Sequence, residues 1–225
     1  MSKFGWNPDD ATANNMEVSG VKSASFDGFI GFFSTGLMGQ QYIDYFNFML
    51  GAGLTTTRGK PFPKSDKIAT FGYDDVKMIG DLDHNVVDVV SKDSLRYSSD
   101  LAQFTNIAEV CVGAYLAKFP ELLKEASLRQ TQAIIERSLP GQGCRLLHSD
   151  KENERDYRRA LTAIAFANDD FEHGEIEFWY QGIRVAPKPG MILMFPTDWT
   201  HTYRCVPPKN GERFLITSFF DRSMV

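Results

Sequence analysis

Cysteine is scarce in this chain of 225 residues: Cys111, Cys144 and Cys205 are its only three. An odd number of widely spaced cysteines in apolar surroundings excludes a disulfide framework and is what reduced thiols in a cytoplasmic protein look like. A basic excess is lacking too. Lys and Arg number 24 against 29 Asp and Glu, a net charge of −5, which argues against the positive footprint of a nucleic-acid-binding surface. No apolar run approaches the length that spans a bilayer. Residues 1–15 are polar and carry Asp9 and Asp10, without the basic and apolar regions of a signal peptide. Neither nucleic acid nor membrane is therefore an expected partner. There is no internal repeat and no low-complexity segment. Histidine is rare as well, with four in all, so the position of each one carries information.

What is present is ordinary for a globular protein: 43% hydrophobic and 24% charged residues, in a length that one domain with a full core accommodates. We expect a single domain over 1–225: a loosely held arm (1–20), a helical support region (21–127) and a β core (128–225). Ser25 to Phe33 alternates well enough for a short strand. From Gly39 to Leu50, Ile43, Phe46, Met49 and Leu50 recur at helical spacing, and Gly51 and Gly53 end the run. Thr55 to Lys67, with Gly59, Pro61 and Pro63, reads as an exposed loop. A helix then follows Ser98 or Ser99, with Leu101, Phe104, Ala108, Cys111 and Tyr115 on one stripe and Pro120 as its stop. Residues 68–95 give no clear signal.

From Leu128 the hydrophobic period shifts toward two. The expected strands are Thr131 to Leu139, Gly143 to His148, Leu161 to Ala167, Glu175 to Trp179, Ile183 to Val185, Met191 to Phe195, His201 to Val206 and Arg213 to Phe220, separated by turn signals such as Pro140-Gly141 and Pro187 to Gly190. Eight short strands with short turns point to a sandwich or jelly roll. The fold class expected is α+β and mainly β, with the helices against one face of a sheet.

Chemistry concentrates between Cys144 and Phe220. In an extended strand His148 and Asp150 point the same way. His201 comes 53 residues after His148 (201 − 148), behind strand-like runs able to fold back beside the first pair. Two histidines and one carboxylate form the facial triad of non-haem iron oxygenases, which leaves coordination positions open. A bare His-x-Asp also recurs by chance, and each histidine alone reads equally as a hydrogen-bonded or surface residue. Of the others, His84 lies in the uninformative half and His173 in a turn beside Gly174. Arg213 begins a strand whose alternate residues are Leu215, Thr217 and Phe219. Pointing inward it would need an anion; beside Lys209 and Glu212 it reads as well as a solvated arginine, and the pattern leaves both open. Thr162, in the strand Thr162-Ala163-Ile164-Ala165-Phe166, means nothing alone.

Three segments carry a resemblance: Arg159 to Phe178, Pro187 to Pro196, and Thr200-His201-Thr202 through Arg213. Together they resemble the core of prolyl 4-hydroxylase-type Fe(II)/2-oxoglutarate-dependent dioxygenases, most of all the compact bacterial and phage members. The likeness is specific over 144–220 and diffuse elsewhere. It implies a double-stranded β-helix (jelly-roll) core, with His148, Asp150 and His201 as catalytic iron ligands. It also implies Arg213 as the partner of the distal carboxylate of 2-oxoglutarate, Thr162 as a second cosubstrate contact and Phe219 in the cosubstrate pocket. The cofactors implied are Fe(II), 2-oxoglutarate and O2, and the reaction is hydroxylation of an unactivated C–H bond. Asp150, where a halogenase has a small residue, keeps the site for hydroxylation. A peptidyl proline is the leading substrate, and the loop 55–67 is a candidate lid, with Trp179, Tyr180 and Trp199 as peptide contacts or packing residues. Two departures stand out. Ser138-Leu139-Pro140 lies where relatives have a cosubstrate-binding tyrosine, and His173-Gly174 replaces two glycines. The competing reading is a jelly-roll module that binds a sugar or peptide without redox turnover.

Overall fold

A computed structural model of the chain describes residues 20–51, 56–58, 87–90, 102–123, 126–143, 146–151 and 156–224. The elements in order are β1 (Val21–Asp27), β2 (Ile30–Thr35), α1 (Gln40–Gly51), β3 (Thr56–Arg58), β4 (Val87–Val90) and α2 (Ala102–Lys118), then a 3₁₀ turn (Pro120–Leu123), β5 (Ala126–Ser138), β6 (Arg159–Phe166), β7 (Glu172–His173), β8 (Ile176–Phe178), β9 (Ile183–Val185) and β10 (Met191–Pro196). A second 3₁₀ turn (Trp199–His201), β11 (Tyr203–Cys205), β12 (Pro208–Lys209) and β13 (Arg213–Met224) complete the described chain.

Eight strands form one sheet in the order β1-β2-β10-β6-β13-β5-β4-β3. Its central members read as alternation with both faces apolar. On β6, Leu161, Ala163 and Ala165 fall on one side and Ile164 and Phe166 on the other. β10 divides likewise into Ile192 and Met194 against Met191, Leu193 and Phe195. A strand buried on both faces has no polar side, which is why 160–166 reads as a nearly unbroken apolar run. The first face packs with Tyr42 and Phe46 of α1 and with Phe104, Ile107, Ala108, Cys111, Val112 and Tyr115 of α2. The second face packs against a small sheet ordered β11-β8-β9, through Ile176, Phe178, Ile183, Val185, Tyr203 and Cys205. Each fully buried phenylalanine among these, such as Phe33, Phe46, Phe166 and Phe178, contributes on the order of 1.5–3 kcal/mol. At Gly39 any Cβ would collide with the Ala167 carbonyl, so only glycine lets α1 start this close to the end of β6.

Several expectations meet a different structure. Gly143 to His148 is not a strand where it is described: His148 makes one isolated bridge to Tyr203, and Cys144 and Arg145 lie outside the described residues. His201 to Val206 is not continuous either, because the chain first makes the 3₁₀ turn 199–201 and only then enters β11. Val87–Val90, inside the uninformative stretch, is a strand beside β5. Residues 1–19, the caps Ser98 and Ser99, His84 and most of the loop 55–67 lie outside the described residues. Within that loop Thr56–Arg58 pairs with β4.

Candidate metal and cosubstrate site

Strand β13 presents Arg213, Leu215, Thr217 and Phe219 to the inner face, where Leu215 joins the core beneath the small sheet. Phe219 is paired with Thr162, and Leu215 with Phe166. The inner surface therefore runs from Arg213 at one end to Thr162 and Phe219 at the other.

At the first end Arg213 is 1% exposed. Its Nη1 donates to the carbonyls of Val206 (2.8 Å) and Gly174 (3.2 Å), and its Nη2 donates to Ser138 Oγ (3.1 Å). Its Nε has no hydrogen-bond partner. Among the described residues no carboxylate pairs with it. A buried guanidinium held only by neutral acceptors keeps a strong demand for an anion. The inward alternative for Arg213 is thus the one the fold adopts. Gly143, at φ +149°, lies so close that a Cβ there would sit 3.3 Å from Arg213 Nη2. Ser138, in the segment that departs from the family's tyrosine, is part of this cradle.

At the other end Asp150 accepts a hydrogen bond from Thr162 Oγ1 at 2.6 Å and lies 3.2 Å from the Tyr203 hydroxyl through each oxygen. Its backbone carbonyl accepts from Arg159 Nη1 at 2.9 Å. Arg159 also stacks its guanidinium 3.8 Å from the Phe219 ring centre, a cation–π contact that anchors both. His148 is set by the paired backbone bonds with Tyr203, 3.0 and 2.9 Å. Its Nδ1 lies 3.1 Å from the Leu146 carbonyl. A carbonyl only accepts, so Nδ1 carries the proton and Nε2 offers a lone pair, 3.9 Å from Asp150 Oδ1. That is the tautomer a metal-binding imidazole needs, oriented by a backbone acceptor.

His201 does not join this pair. It is 4% exposed, with Nε2 2.8 Å from the Gly28 carbonyl and Nδ1 3.0 Å from Thr200 Oγ1. By the same argument Nε2 donates to Gly28 and Nδ1 accepts from Thr200, so both nitrogens are committed. Burial pushes its pKa down, partly opposed by the Gly28 hydrogen bond, as suits a neutral structural imidazole. The cause is local. Pro196 ends β10, His201 N bonds back to the Asp198 carbonyl and Thr202 Oγ1 to the Trp199 carbonyl. This turn breaks the strand alternation that was expected to aim His201 inward. Among the described residues no three His, Cys, Asp or Glu side chains are grouped to hold a metal. Of the expected triad, the structure brings His148 and Asp150 within 3.9 Å of each other and turns His201 Nε2 toward the Gly28 carbonyl. The phenol beside Asp150 belongs to Tyr203, a residue the sequence reading passed over. The signal was present: position 203 shares the strand parity of 201, two residues further along.

The other expected residues are placed as follows. Thr162 lies at the site, but its hydroxyl proton goes to Asp150 rather than standing free for a cosubstrate. Phe219 is buried beside it. His173 is exposed at the end of β7, at φ 62°. Trp179, Tyr180 and Trp199 are exposed, Trp199 at 72%. Gln181 Nε2 donates to the Thr200 carbonyl, joining two of those turns.

Residues 135–221 match the family model of the 2OG-Fe(II) oxygenase superfamily. That stretch, under half of the chain, is similar to a 2OG-Fe(II) oxygenase domain. Solved structures agree on the fold. A truncated form of the viral collagen prolyl hydroxylase of Paramecium Bursaria Chlorella virus-1 superposes with a TM-score of 0.56 at 12% identity, covering 93% of this chain and all of that one. A prolyl hydroxylase from Trichoplax adhaerens, in complex with a hypoxia inducible factor peptide fragment, gives 0.54 at 13% identity over 81% of this chain and 77% of that one. A 2OG-Fe(II) oxygenase family oxidoreductase from Burkholderia pseudomallei gives 0.50 at 15% identity, over 82% and 79%. Nothing among curated proteins matches the chain. Match and fold together are those of a 2-oxoglutarate-dependent oxygenase.

The site fits the family's two groups unequally. Arg213, buried and without a carboxylate, suits the distal carboxylate of 2-oxoglutarate. His148 and the carboxylate of Asp150 suit iron, but among the described residues a second histidine is not with them, since His201 faces Gly28.

Proposed function

We propose that this oxygenase hydroxylates an unactivated C–H bond with Fe(II), 2-oxoglutarate and O2, and that its substrate is a peptidyl proline, on a double-stranded β-helix core buttressed by the N-terminal helices. The observation that carries the reading is Arg213, a fully buried cation whose acceptors are all neutral. A dicarboxylate supplies the missing charge through a paired, charge-assisted hydrogen bond. Iron with 2-oxoglutarate and O2 would supply the oxidant. The chain's own part is to hold and orient. His148 and Asp150 bind the metal, Thr162 and Arg159 lock the Asp150 carboxylate and backbone, and Arg213 fixes the far end of the cosubstrate. Phe166, Phe178, Phe195 and Leu215 keep the inner surface dry, which strengthens each of these electrostatic contacts. Exposed Trp179, Tyr180, Trp199 and Phe29 are aromatic surfaces suited to a proline-containing peptide, and a fold neighbour's complex with a peptide supports that substrate class.

The test is succinate formation from 2-oxoglutarate by anaerobically purified protein with Fe(II), with and without a proline-rich peptide. Peptide-stimulated succinate is the expected result. Succinate that peptide leaves unchanged removes proline as the substrate. A second reading, a jelly-roll module without turnover, is favoured by one observation, the commitment of both His201 nitrogens elsewhere. Absence of both turnover and metal-dependent 2-oxoglutarate binding would establish it.

A further inference from the structure

The turns that frame the site gather at one end of the large sheet. The register pairs Leu161 of β6 with Pro196 of β10 and with Phe220 of β13, and Gly31 of β2 with Met194 of β10. The end of β10, the start of β6, the end of β13 and the β1–β2 turn therefore share one rim, next to Asp150, whose backbone carbonyl Arg159 holds. The two flanks of that rim differ in chemistry. One is aromatic. Phe29, Trp179, Tyr180 and Trp199 are exposed there, on turns tied together by Trp179 N to the Thr202 carbonyl (3.0 Å) and Gln181 Nε2 to the Thr200 carbonyl (2.8 Å). It has no spare positive charge: Asp27 is exposed beside it, and Lys151 is paired with Asp198 at 3.1 Å. The other flank is basic. Across β5, β13 and β6 the register sets Arg129, Asp221 and Arg159 in one row, and in the next position Arg222 N bonds to the Arg158 carbonyl at 2.8 Å. Arg129, Arg158 and Arg222 are exposed, and among the described residues none of them pairs with a carboxylate. Arg158 contacts the Tyr157 hydroxyl and ring. Of the two acids nearby, Asp156 is spent on Arg159 at 3.0 Å and Asp221 Oδ1 accepts no hydrogen bond.

We propose that the substrate lies across this rim as an extended chain, with acidic side chains flanking the reacting residue on the arginine side. This rests on reading the substrate as a peptide and narrows that reading to an acidic one. A single exposed arginine decides little, because water screens it. Three in adjoining positions make a local positive field on a chain whose net charge is −5, and such a field steers a negative segment to one side. The planar guanidinium matches a carboxylate through two parallel hydrogen bonds. Across the site the aromatic rings take the apolar, proline-containing part of the same chain, at little cost in rotamer freedom. The rim thus gives the peptide a direction as well as a place. Nucleic acid is the other polyanion an arginine patch suits, but the negative charge of the chain as a whole opposes it. An acidic peptide is the occupant the charges favour.

The test is fluorescence anisotropy of the full chain with three labelled peptides that share a proline-rich half and carry a run of Glu, of Gln or of Lys in the other half. The expected order is Glu tightest and Lys weakest. At low salt Glu should lead Gln by roughly tenfold, and the lead should shrink as salt screens the rim. In Arg158→Gln/Arg222→Gln it should fall to about twofold, with the Gln peptide bound as before. Lys22→Gln/Lys188→Gln removes the same charge from exposed positions at the opposite end of the sheet and should keep the lead. Unchanged melting temperatures in both variants would tie the effect to the rim. A Glu lead that survives the arginine variant, or falls equally in the lysine variant, overturns the proposal. Equal binding of the three peptides, with peptide-stimulated succinate, overturns it and leaves the peptide substrate standing. Binding of none of them ends both readings. A single-stranded oligonucleotide that binds more tightly than the Glu peptide, and is lost in the arginine variant, gives the rim to nucleic acid and overturns the proposal too.

Discussion

The two ends of the inner face were built to different degrees for the same cosubstrate chemistry. At the Arg213 end, buried charge, neutral acceptors and a close glycine make a cradle with one thing missing, an anion. At the His148 end the local supports are complete, with Thr162 and Arg159 on Asp150 and Leu146 on His148. There it is the second expected histidine that departs, since His201 Nε2 faces the Gly28 carbonyl instead. The difference teaches that cosubstrate binding and metal binding are separable in this chain, because they rest on different strands and different bonds.

The sharpest way to break that comparison is Arg213→Met. The variant fills similar volume without the charge. Removing one partner of a buried charge pair costs about 2–5 kcal/mol, so 2-oxoglutarate binding measured by calorimetry should weaken by at least ~30-fold. Metal uptake at the His148 end should stay as it is. If 2-oxoglutarate affinity is unchanged, Arg213 is a structural cation and the cradle argument fails.

A smaller effect is expected from Thr162→Val, which removes the hydroxyl on Asp150 and keeps the shape. Partners that orient a metal ligand are worth about 10–100-fold in metal affinity, and competition against a chelator would read that loss. An effect on 2-oxoglutarate affinity alone, with metal affinity untouched, would instead restore the role implied by the family resemblance, that of a direct cosubstrate contact.

How far the site was legible follows from which of its features depend on register. The alternation of Arg213, Leu215, Thr217 and Phe219 survives in β13 because the strand's first register shift comes only after Phe219, so an inward Arg213 was available as an alternative from the sequence. Helix α1 was legible within a residue or so, since its apolar spacing and flanking glycines agree. His201 was not. One 3₁₀ turn after Pro196 shifts which residue reaches the inner face, and period-two reasoning has no means of seeing a turn inside an assumed strand. The stretch 143–148 failed for a related reason: a single bridge to Tyr203 positions His148, and one residue pair leaves no periodic trace. The pairing of β6 between β10 and β13 is a long-range fact that an apolar run does not encode.

The smallest effect tests the claim that the two histidines differ in kind. His201→Ala removes the donor to the carbonyl of Gly28, an exposed turn residue, and loss of that hydrogen bond costs about 0.5–1.5 kcal/mol. The melting temperature should fall accordingly, and the β1–β2 turn, where Gly28 and Phe29 both hold positive φ, should loosen in hydrogen exchange. Chelator competition should find metal affinity within twofold of the parent chain, whereas His148→Ala should abolish metal binding and leave the melting temperature nearly unchanged. The crossed pattern is what matters. His148 faces Asp150 across one backbone bridge to Tyr203, while His201 spends both nitrogens on the Gly28 carbonyl and Thr200. If His201→Ala instead lost metal at an unaltered melting temperature, the imidazole would have to leave Gly28 to reach iron, and the separation drawn here between a structural and a metal-facing histidine would collapse.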